Sequence, residues 1–497
     1  MKAHRGLKKI SLPVWGLLAF TFLTPGVWTI SQRRANSFVP LGSMVTQETD
    51  NAFSAGDRSD LGAEIDAYMK AYDELGWFFG SIIVVHKGEI LLSQGYGMAS
   101  LEHQAPNSPQ TRFRLASVTK QFTAAAILQF QDRGLLDVQA PISTYLPDYP
   151  NGDRITAHHL MTHTSGVINY NKLPGYSEWR KLPTTLDDLI ARFKDLPLEF
   201  EPGEQYRYSN SGYELLTQLI ETISGQSYAD YLKENLLGPL GMENTGYEDP
   251  IAVINGMASG YRLTDDGYQR AQHYDMSVAL GSGGLYSTVE DLARWNQFLF
   301  GSGGRDETIL SNEAIAAMIS PHVEVDPIDD HDIFYGYGLY ISNDAEDPFI
   351  THRGALYGFR SFLRFHPNQN LTIAVLCNLE TADLPRIAYD LTAIVLGEPY
   401  DPPSLPEAVT VDPSVYENYV GVYQVDPDFQ LAVFIEADQL KIQETEWRSL
   451  TLYPSSETAF FSRIKNVQIV FNQATDGTVK SLTVFENYEE IVIPKVD

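Results

Sequence analysis

The chain has 497 residues, 43% of them hydrophobic and 20% charged, which excludes a disordered chain and gives core volume for more than one domain. Its formal net charge is −29. Six basic residues, Lys2, Arg5, Lys8, Lys9, Arg33 and Arg34, precede the first acid, Glu48; the body beyond them carries 29 basic against 64 acidic residues, which argues against nucleic acid as a partner.

Residues 1–34 read as a targeting segment, with the basic KAHRGLKK followed by the apolar ISLPVWGLLAFTFLTPGVWTI. That run is close to the roughly 20 residues that span a bilayer. Pro13, Pro25 and the lack of a clean A-x-A site leave a cleaved signal peptide and an uncleaved membrane anchor both open. Either implies export, to a periplasmic or secreted location. Residues 35–58 are polar and patternless, as in a linker.

FFGSIIVVHKGEILLSQGYG then places two β-rich runs around His86-Lys87-Gly88, the pattern of a hairpin. Helical periodicity prevails from about 115 to 240, as in SGYELLTQLIETISG with Gly225 as C-cap, and returns in TVEDLARWNQFLF. Strand patterns follow in YGYGLYIS, GFRSFLRFHP and LTIAVLCN, the last two joined by the turn HPNQN, and then a helix over about 384–396. Cys377 is the single cysteine, so no intrachain disulfide forms, and its apolar run marks it as a core thiol. Strands at both ends of a helical middle predict an α+β domain over 59–398 whose sheet joins sequence-distant segments. Residues 399–412, within EPYDPPSLPEAVTVDP, form a proline-rich linker. Eight short strand patterns in 413–497 predict a small antiparallel β-barrel or sandwich.

Three stretches could carry chemistry. In RLASVTKQFTAAAILQF, Ser117 and Lys120 lie at i and i+3, so the amine reaches the hydroxyl and supplies the base or positive field that a serine nucleophile needs. In FEPGEQYRYSNSGYELL, the Tyr208 phenol is suited to shuttling a proton and the Asn210 amide to holding a substrate carbonyl while steadying Lys120. Capping of the next helix by Ser209 or Asn210 is the structural alternative. In ITHRGALYGFRSFLRF, His352-Arg353-Gly354 opens a strand where the glycine lets backbone approach a ligand. Each stretch alone is commonplace.

Together, S-x-x-K, Y-S-N about 90 residues on and H-x-G before a strand resemble the serine β-lactamase and penicillin-binding superfamily. Within it they are similar to the branch of class C β-lactamases, S12-type D-alanyl-D-alanine carboxypeptidases and D-aminopeptidases, and β-lactamase-like esterases. TRFRLASVTKQFTA, LMTHTSG, FEPGEQYRYSNSGY, GSGGLYSTVEDLARW and HRGALYGF extend the resemblance over about 60–398. It implies a β-lactamase/transpeptidase-like fold and an acyl-enzyme with Ser117 as nucleophile and Lys120 as its proton partner. Tyr208 is then general base in acylation and acid to the leaving group. Asn210, His352 and Gly354 bind substrate, and the N–H groups of Ser117 and Ala355 form an oxyanion hole. No metal or organic cofactor is implied. His159 and His163 have the i, i+4 spacing of H-E-x-x-H zinc sites, but Leu160 stands where that motif requires glutamate. No G-x-S-x-G is present to make a nucleophile elbow. The C-terminal strands, through YENYVGVYQV and DQLKIQ, resemble a lipocalin-like domain appended to some S12-type peptidases.

The N-terminal segment and the resemblance together imply an exported serine hydrolase acting on small-molecule or peptide substrates. Peptides or amides with D-residues come first, acyl esters second and β-lactams third; a non-catalytic scaffold of the same fold is the remaining alternative. A histidine at 352 is largely neutral above its reference pKa of about 6.5. Carboxylate recognition resting on a charged His352 would weaken as pH rises through about 6 to 7, and Arg353 is the other source of positive charge.

Overall fold

Lys87 and Gly88 both take positive φ, 51° and 80°, which fits a two-residue turn whose twist matches that of the strands it joins. The hairpin so made, β1 (Gly80–His86) and β2 (Glu89–Tyr96), is one edge of an eight-stranded antiparallel sheet. The computed structural model describes residues 55–496 except 302, 304, 329–330, 345–346, 427–428, 445–448 and 487–488. The targeting segment and most of the expected linker lie outside the described residues. A helix, α1 (Ala55–Glu74), begins inside the last four residues of that linker. Among the described residues no helix is long and apolar enough to cross a membrane.

The other strands come from beyond residue 320: β3 (Val323–Ile328), β4 (His331–Tyr335), β5 (Tyr340–Ser342), β6 (Ile350–Leu356), β7 (Phe359–His366) and β8 (Leu371–Cys377). Their order is β3-β4-β5-β6-β7-β8-β1-β2. β8 pairs with β1 from Gly80↔Cys377 to His86↔Leu371, so the sheet unites both ends of the domain. YGYGLYIS is not one strand. β4 ends at Tyr335, Gly336 donates to the Leu339 carbonyl at 2.8 Å, Gly338 takes φ +74°, and β5 begins at Tyr340.

Both faces of the sheet are covered, which explains why LTIAVLC is apolar throughout rather than alternating. Ile83, Leu363, Ala374 and Leu376 face a helical core. Within it lie α2 (Thr119–Asp132), α3 (Asn210–Ser224, closed by Gly225 at φ 69°) and α4 (Val289–Phe300). Between α2 and α3 the chain makes only short helices and turns, where helical periodicity alone suggested longer ones. Ile82, Val84, Ile373 and Val375 face the opposite way and pack with Ile65, Met69, Ile387 and Leu391 of α1 and α5 (Leu384–Leu396). Cys377 is buried in that layer, its thiol pushed up to about 12 by burial.

The described residues divide into two compact units, the second comprising Pro403 onward together with Thr264–Gly267. It is a closed antiparallel barrel of β9–β16, at residues 421–426, 429–436, 439–444, 450–454, 459–461, 468–473, 479–486 and 489–496. Closure through Val422↔Val496 and Tyr423↔Lys495 removes exposed sheet edges. Tyr419, Tyr423, Phe460 and Phe471 pack inside, with Tyr419 and Phe471 stacked at 4.2 Å.

One buried network ties α1 to α5. Asp390, fully buried, accepts from Tyr68 Oη at 2.6 Å and from Arg386 Nε at 2.7 Å. Removing one member of a buried pair leaves the other charge uncompensated. Asp390→Ala is therefore expected to cost about 3–5 kcal/mol in urea unfolding, against about 1 kcal/mol for an ordinary substitution.

Candidate active site

Ser361 of β7 donates to the Leu115 carbonyl at 2.5 Å, while the Leu115 N–H donates to Leu285 O at 2.8 Å. The chain then turns sharply. Ala116 takes φ +46°, a region that costs L-residues energy unless the surroundings enforce it. A 3-10 turn, Ala116–Val118, follows and leads into α2. Ser117 is thereby held partly exposed at the head of a helix whose Lys120 is wholly buried.

The amine of Lys120 donates to Ser117 Oγ at 3.2 Å, Asn210 Oδ1 at 2.8 Å and the Ser282 carbonyl at 2.7 Å. The Tyr208 phenol donates to Ser117 Oγ at 2.8 Å. Lys120 also lies over the rings of Tyr208 and Tyr213, at 4.8 and 5.2 Å. Three separated segments thus meet around Ser117 and Lys120. The capping alternative fails: Ser209 occupies the N-cap of α3 without a side-chain cap, and the Asn210 amide turns to Lys120 instead.

Burial pulls the Lys120 amine well below its ordinary value, opposed by the charge of Glu214. Burial among aromatic rings, with Tyr340 adding to it, pushes the Tyr208 phenol well above its own, although part of the residue reaches the surface. Both groups are driven toward their neutral forms.

His352 sits two residues before Gly354 on β6, buried at 1% exposure, its ring pulled down to about 3 by burial and by nearby Lys120. Its hydrogen bonds fix one tautomer. Nδ1 donates to the Arg353 carbonyl at 2.8 Å, so Nε2 accepts from Tyr335 Oη at 3.1 Å. Tyr335 in turn accepts from His163 Nε2 at 3.2 Å, because His163 Nδ1 already accepts the Ser209 N–H at 3.2 Å. His163 is buried, at φ +60°, with its ring 4.1 Å from that of Tyr208. His159 instead closes a capping box with Thr156, so the i, i+4 histidines serve separate contacts. Among the described residues no group of three or more His, Cys, Asp or Glu side chains is placed to hold a metal ion.

Gly354 is required by close approach: a Cβ there would lie 2.2 Å from Leu115 O and 3.0 Å from Ser117 N. β5 pairs with β6 only at Tyr340↔Thr351 and Ile341↔Ile350. From His352 through Gly354 and Ala355 to Leu356, β6 pairs only with β7 among the described residues, leaving its other edge open. Arg353 is exposed, and its positive charge acts on both Tyr208 and Tyr340.

Ser117, Lys120, Tyr208 and Asn210 are thus in mutual contact, and Gly354 lies against the nucleophile's backbone. His352 is behind the site, in a hydrogen-bonded column under Tyr208, rather than a cation in the cleft. Sequence reasoning missed Tyr335, Ser282 and Glu214, and it weighed His163 only as a metal ligand. Ser282 lay in plain view in GSGG, and Glu214 interrupts an otherwise apolar helix face.

A serine hydroxyl held jointly by a buried lysine and a tyrosine defines a serine hydrolase. Residues 63–396 match the Beta-lactamase family, well over half of the chain, and the chain belongs to that family. It is 29% identical over 440 residues to a penicillin-binding protein of Bacillus subtilis (strain 168), covering 83% of this chain and 94% of that protein. The octameric penicillin-binding protein homologue from Pyrococcus abyssi superposes with TM-score 0.61 at 25% identity, over 87% of this chain and 99% of that one. A D-amino acid amidase from Ochrobactrum anthropi SV3 shares the fold at 21% identity, with TM-score 0.59 and coverage of 68% and 99%.

Two measurements check this geometry. Gly354→Ala is expected to slow acylation of Ser117 by about 10²-fold, because the backbone carbonyl of Leu115 cannot yield as a side chain could. For a carboxylate-bearing substrate, KM is expected to stay flat between about pH 6 and pH 7, since the His352 ring is neutral above about 3. An inflection near 6.5 that disappears in His352→Asn would overturn the neutral ring.

Proposed function

We propose that the protein hydrolyses peptides or amides containing D-residues through an acyl-enzyme on Ser117, in the manner of a carboxypeptidase or aminopeptidase. The observation that carries this reading is that Lys120 Nζ and Tyr208 Oη both lie within hydrogen-bond reach of one serine oxygen, at 3.2 and 2.8 Å. Neutral Lys120 keeps its bonds to Asn210 and Ser282 and turns its lone pair to Ser117. As Ser117 Oγ attacks the acyl carbon, Lys120 accepts the hydroxyl proton. Tyr208 then passes its own proton to the leaving nitrogen as the acyl–nitrogen bond breaks, and the resulting phenolate is reprotonated from the Lys120 ammonium. Water repeats the sequence on the acyl-enzyme. Tyr208 keeps the role of acid to the leaving group that the resemblance implied, but Lys120 replaces it as the base in acylation, because burial opposes a phenolate.

The N–H groups of Ser117 and Ala355 are assigned to the oxyanion, where one such donor is typically worth about 3 kcal/mol. The open edge of β6 suits an extended peptide that adds as a further strand. The relationship to a penicillin-binding protein supports an amide-cleaving site. Export rests on the basic-then-apolar pattern of residues 1–34. One observation favours a second reading, a carboxylesterase of the same type: neutral His352 provides no fixed cation for a substrate carboxylate.

Intact-mass labelling with a fluorophosphonate and with a fluorescent penicillin, beside Ser117→Ala, tests the reading. A Ser117-dependent adduct with both reagents is expected. Fluorophosphonate labelling alone would transfer the assignment to the esterase, and no adduct with either would leave a non-catalytic scaffold.

A further inference from the structure

Glu214 has no place in any motif of the site. It lies on the buried side of α3 beside Tyr213, Leu215 and Leu216, and is 0% exposed. A carboxylate in such a place is strongly unfavourable unless its oxygens are hydrogen-bonded and a positive group lies near. Both conditions are met. Oε2 accepts the N–H of Gly281 and Oε1 the N–H of Ser282, each at 3.3 Å, and Lys120 is the positive group whose charge acts on it.

The segment gripped in this way is the one that holds the lysine. The Ser282 carbonyl accepts from Lys120 at 2.7 Å, and the Gly281 carbonyl accepts from Thr123, one turn further along α2, also at 2.7 Å. The fit is close, since a Cβ on Gly281 would lie 2.1 Å from Thr217 Oγ1 of α3. The phenols of Tyr170, Tyr228, Tyr247 and Tyr274 also face Glu214, and burial holds all four in their protonated form. On the far side of Lys120 stand His163 and His352, both kept neutral by burial, with the rings of Tyr208 and Tyr213. Burial raises the Glu214 carboxyl to about 7 while lowering the amine, so the two titrate as a coupled pair.

We propose that Glu214 is a positioning residue for the acyl-transfer chemistry: it fixes the Gly281–Ser282 segment that aims a carbonyl at Lys120, and its charge sets the pH at which Lys120 becomes a base. The role rests on the acyl-enzyme reading given above. Removing the negative charge makes the ammonium less favourable, so Lys120 loses its proton at lower pH.

The experiment follows the rate of Ser117 acylation by a fluorophosphonate, by intact mass, from about pH 5 to about pH 9. In Glu214→Gln the acid limb of the profile is expected about one unit lower than in the wild-type protein, with a slower plateau, whereas Glu214→Asp keeps the wild-type limb. If the near-UV circular dichroism shows Glu214→Gln unfolded, Glu214→Leu, with similar bulk and no polar atom, reads the same limb. A limb unmoved in the folded neutral variant overturns the role of Glu214 alone. A wild-type protein that is not acylated at Ser117 overturns the acyl-enzyme reading, and the role of Glu214 with it.

Discussion

Lys120 directs its three hydrogen bonds to the Ser117 hydroxyl, the Asn210 amide and the Ser282 carbonyl while showing no surface to water. An amine taken so far from water is unfavourable as a cation, and its three hydrogen bonds go to a hydroxyl, an amide oxygen and a carbonyl rather than to a carboxylate. It can be kept there only by dense walls and by acceptors fixed in advance. The walls are the helical core between the sheet and α3; the acceptors come from the start of α3 and from the glycine-rich turn before α4. The tight contacts at Gly281 and Gly354 serve the same end, since a methyl group would meet the Thr217 side chain of α3 at the first and the Leu115 backbone carbonyl at the second.

The column below the amine obeys a related constraint. Two buried histidines beside a potential cation have to be neutral, and a neutral imidazole donates from one nitrogen only. The Ser209 N–H and the Arg353 carbonyl, one at each end, impose a single direction on the His163–Tyr335–His352 chain. The column therefore joins the loop before α3 to β6 without placing charge near Ser117. What looked in the sequence like a substituted cation is a spacer of fixed protonation.

Patterns set by backbone geometry were legible in the sequence. The hairpin at Lys87-Gly88, the C-cap at Gly225 and eight barrel strands depend on local turn chemistry and on period-2 alternation. The Ser117–Lys120 pair was legible from its i, i+3 spacing, while its meeting with Tyr208 and Asn210 was legible only through the resemblance that the three motifs carry together. Side-chain protonation was not. Whether Tyr208 or Lys120 is the better base depends on desolvation by residues such as Tyr213 and Tyr340, which are distant in sequence. Glu214 was unreadable for the same reason: in sequence it is one acid in an amphipathic helix, and only folding shows that its face is the buried one. The break within YGYGLYIS was hidden because the run is apolar and aromatic on both sides of the turn, while Gly338, where φ turns positive, is one glycine among several.

Neutrality at the reaction centre shapes how substrate charge is handled in the proposed reaction. With Lys120, Tyr208, His163 and His352 all driven to uncharged forms, Arg353 is the cation whose charge lowers the cost of a phenolate at Tyr208. It stands exposed on a chain of net charge −29, whose long-range field disfavours the approach of anions. An uncharged ester or amide meets neither an attraction nor a penalty there. A substrate carboxylate gains only where it comes close enough to Arg353 for short-range pairing to outweigh that field, which salt screens over about 8–10 Å. In the proposed reaction, selection between charged and neutral substrates would thus draw on the exposed Arg353, beside the buried His352.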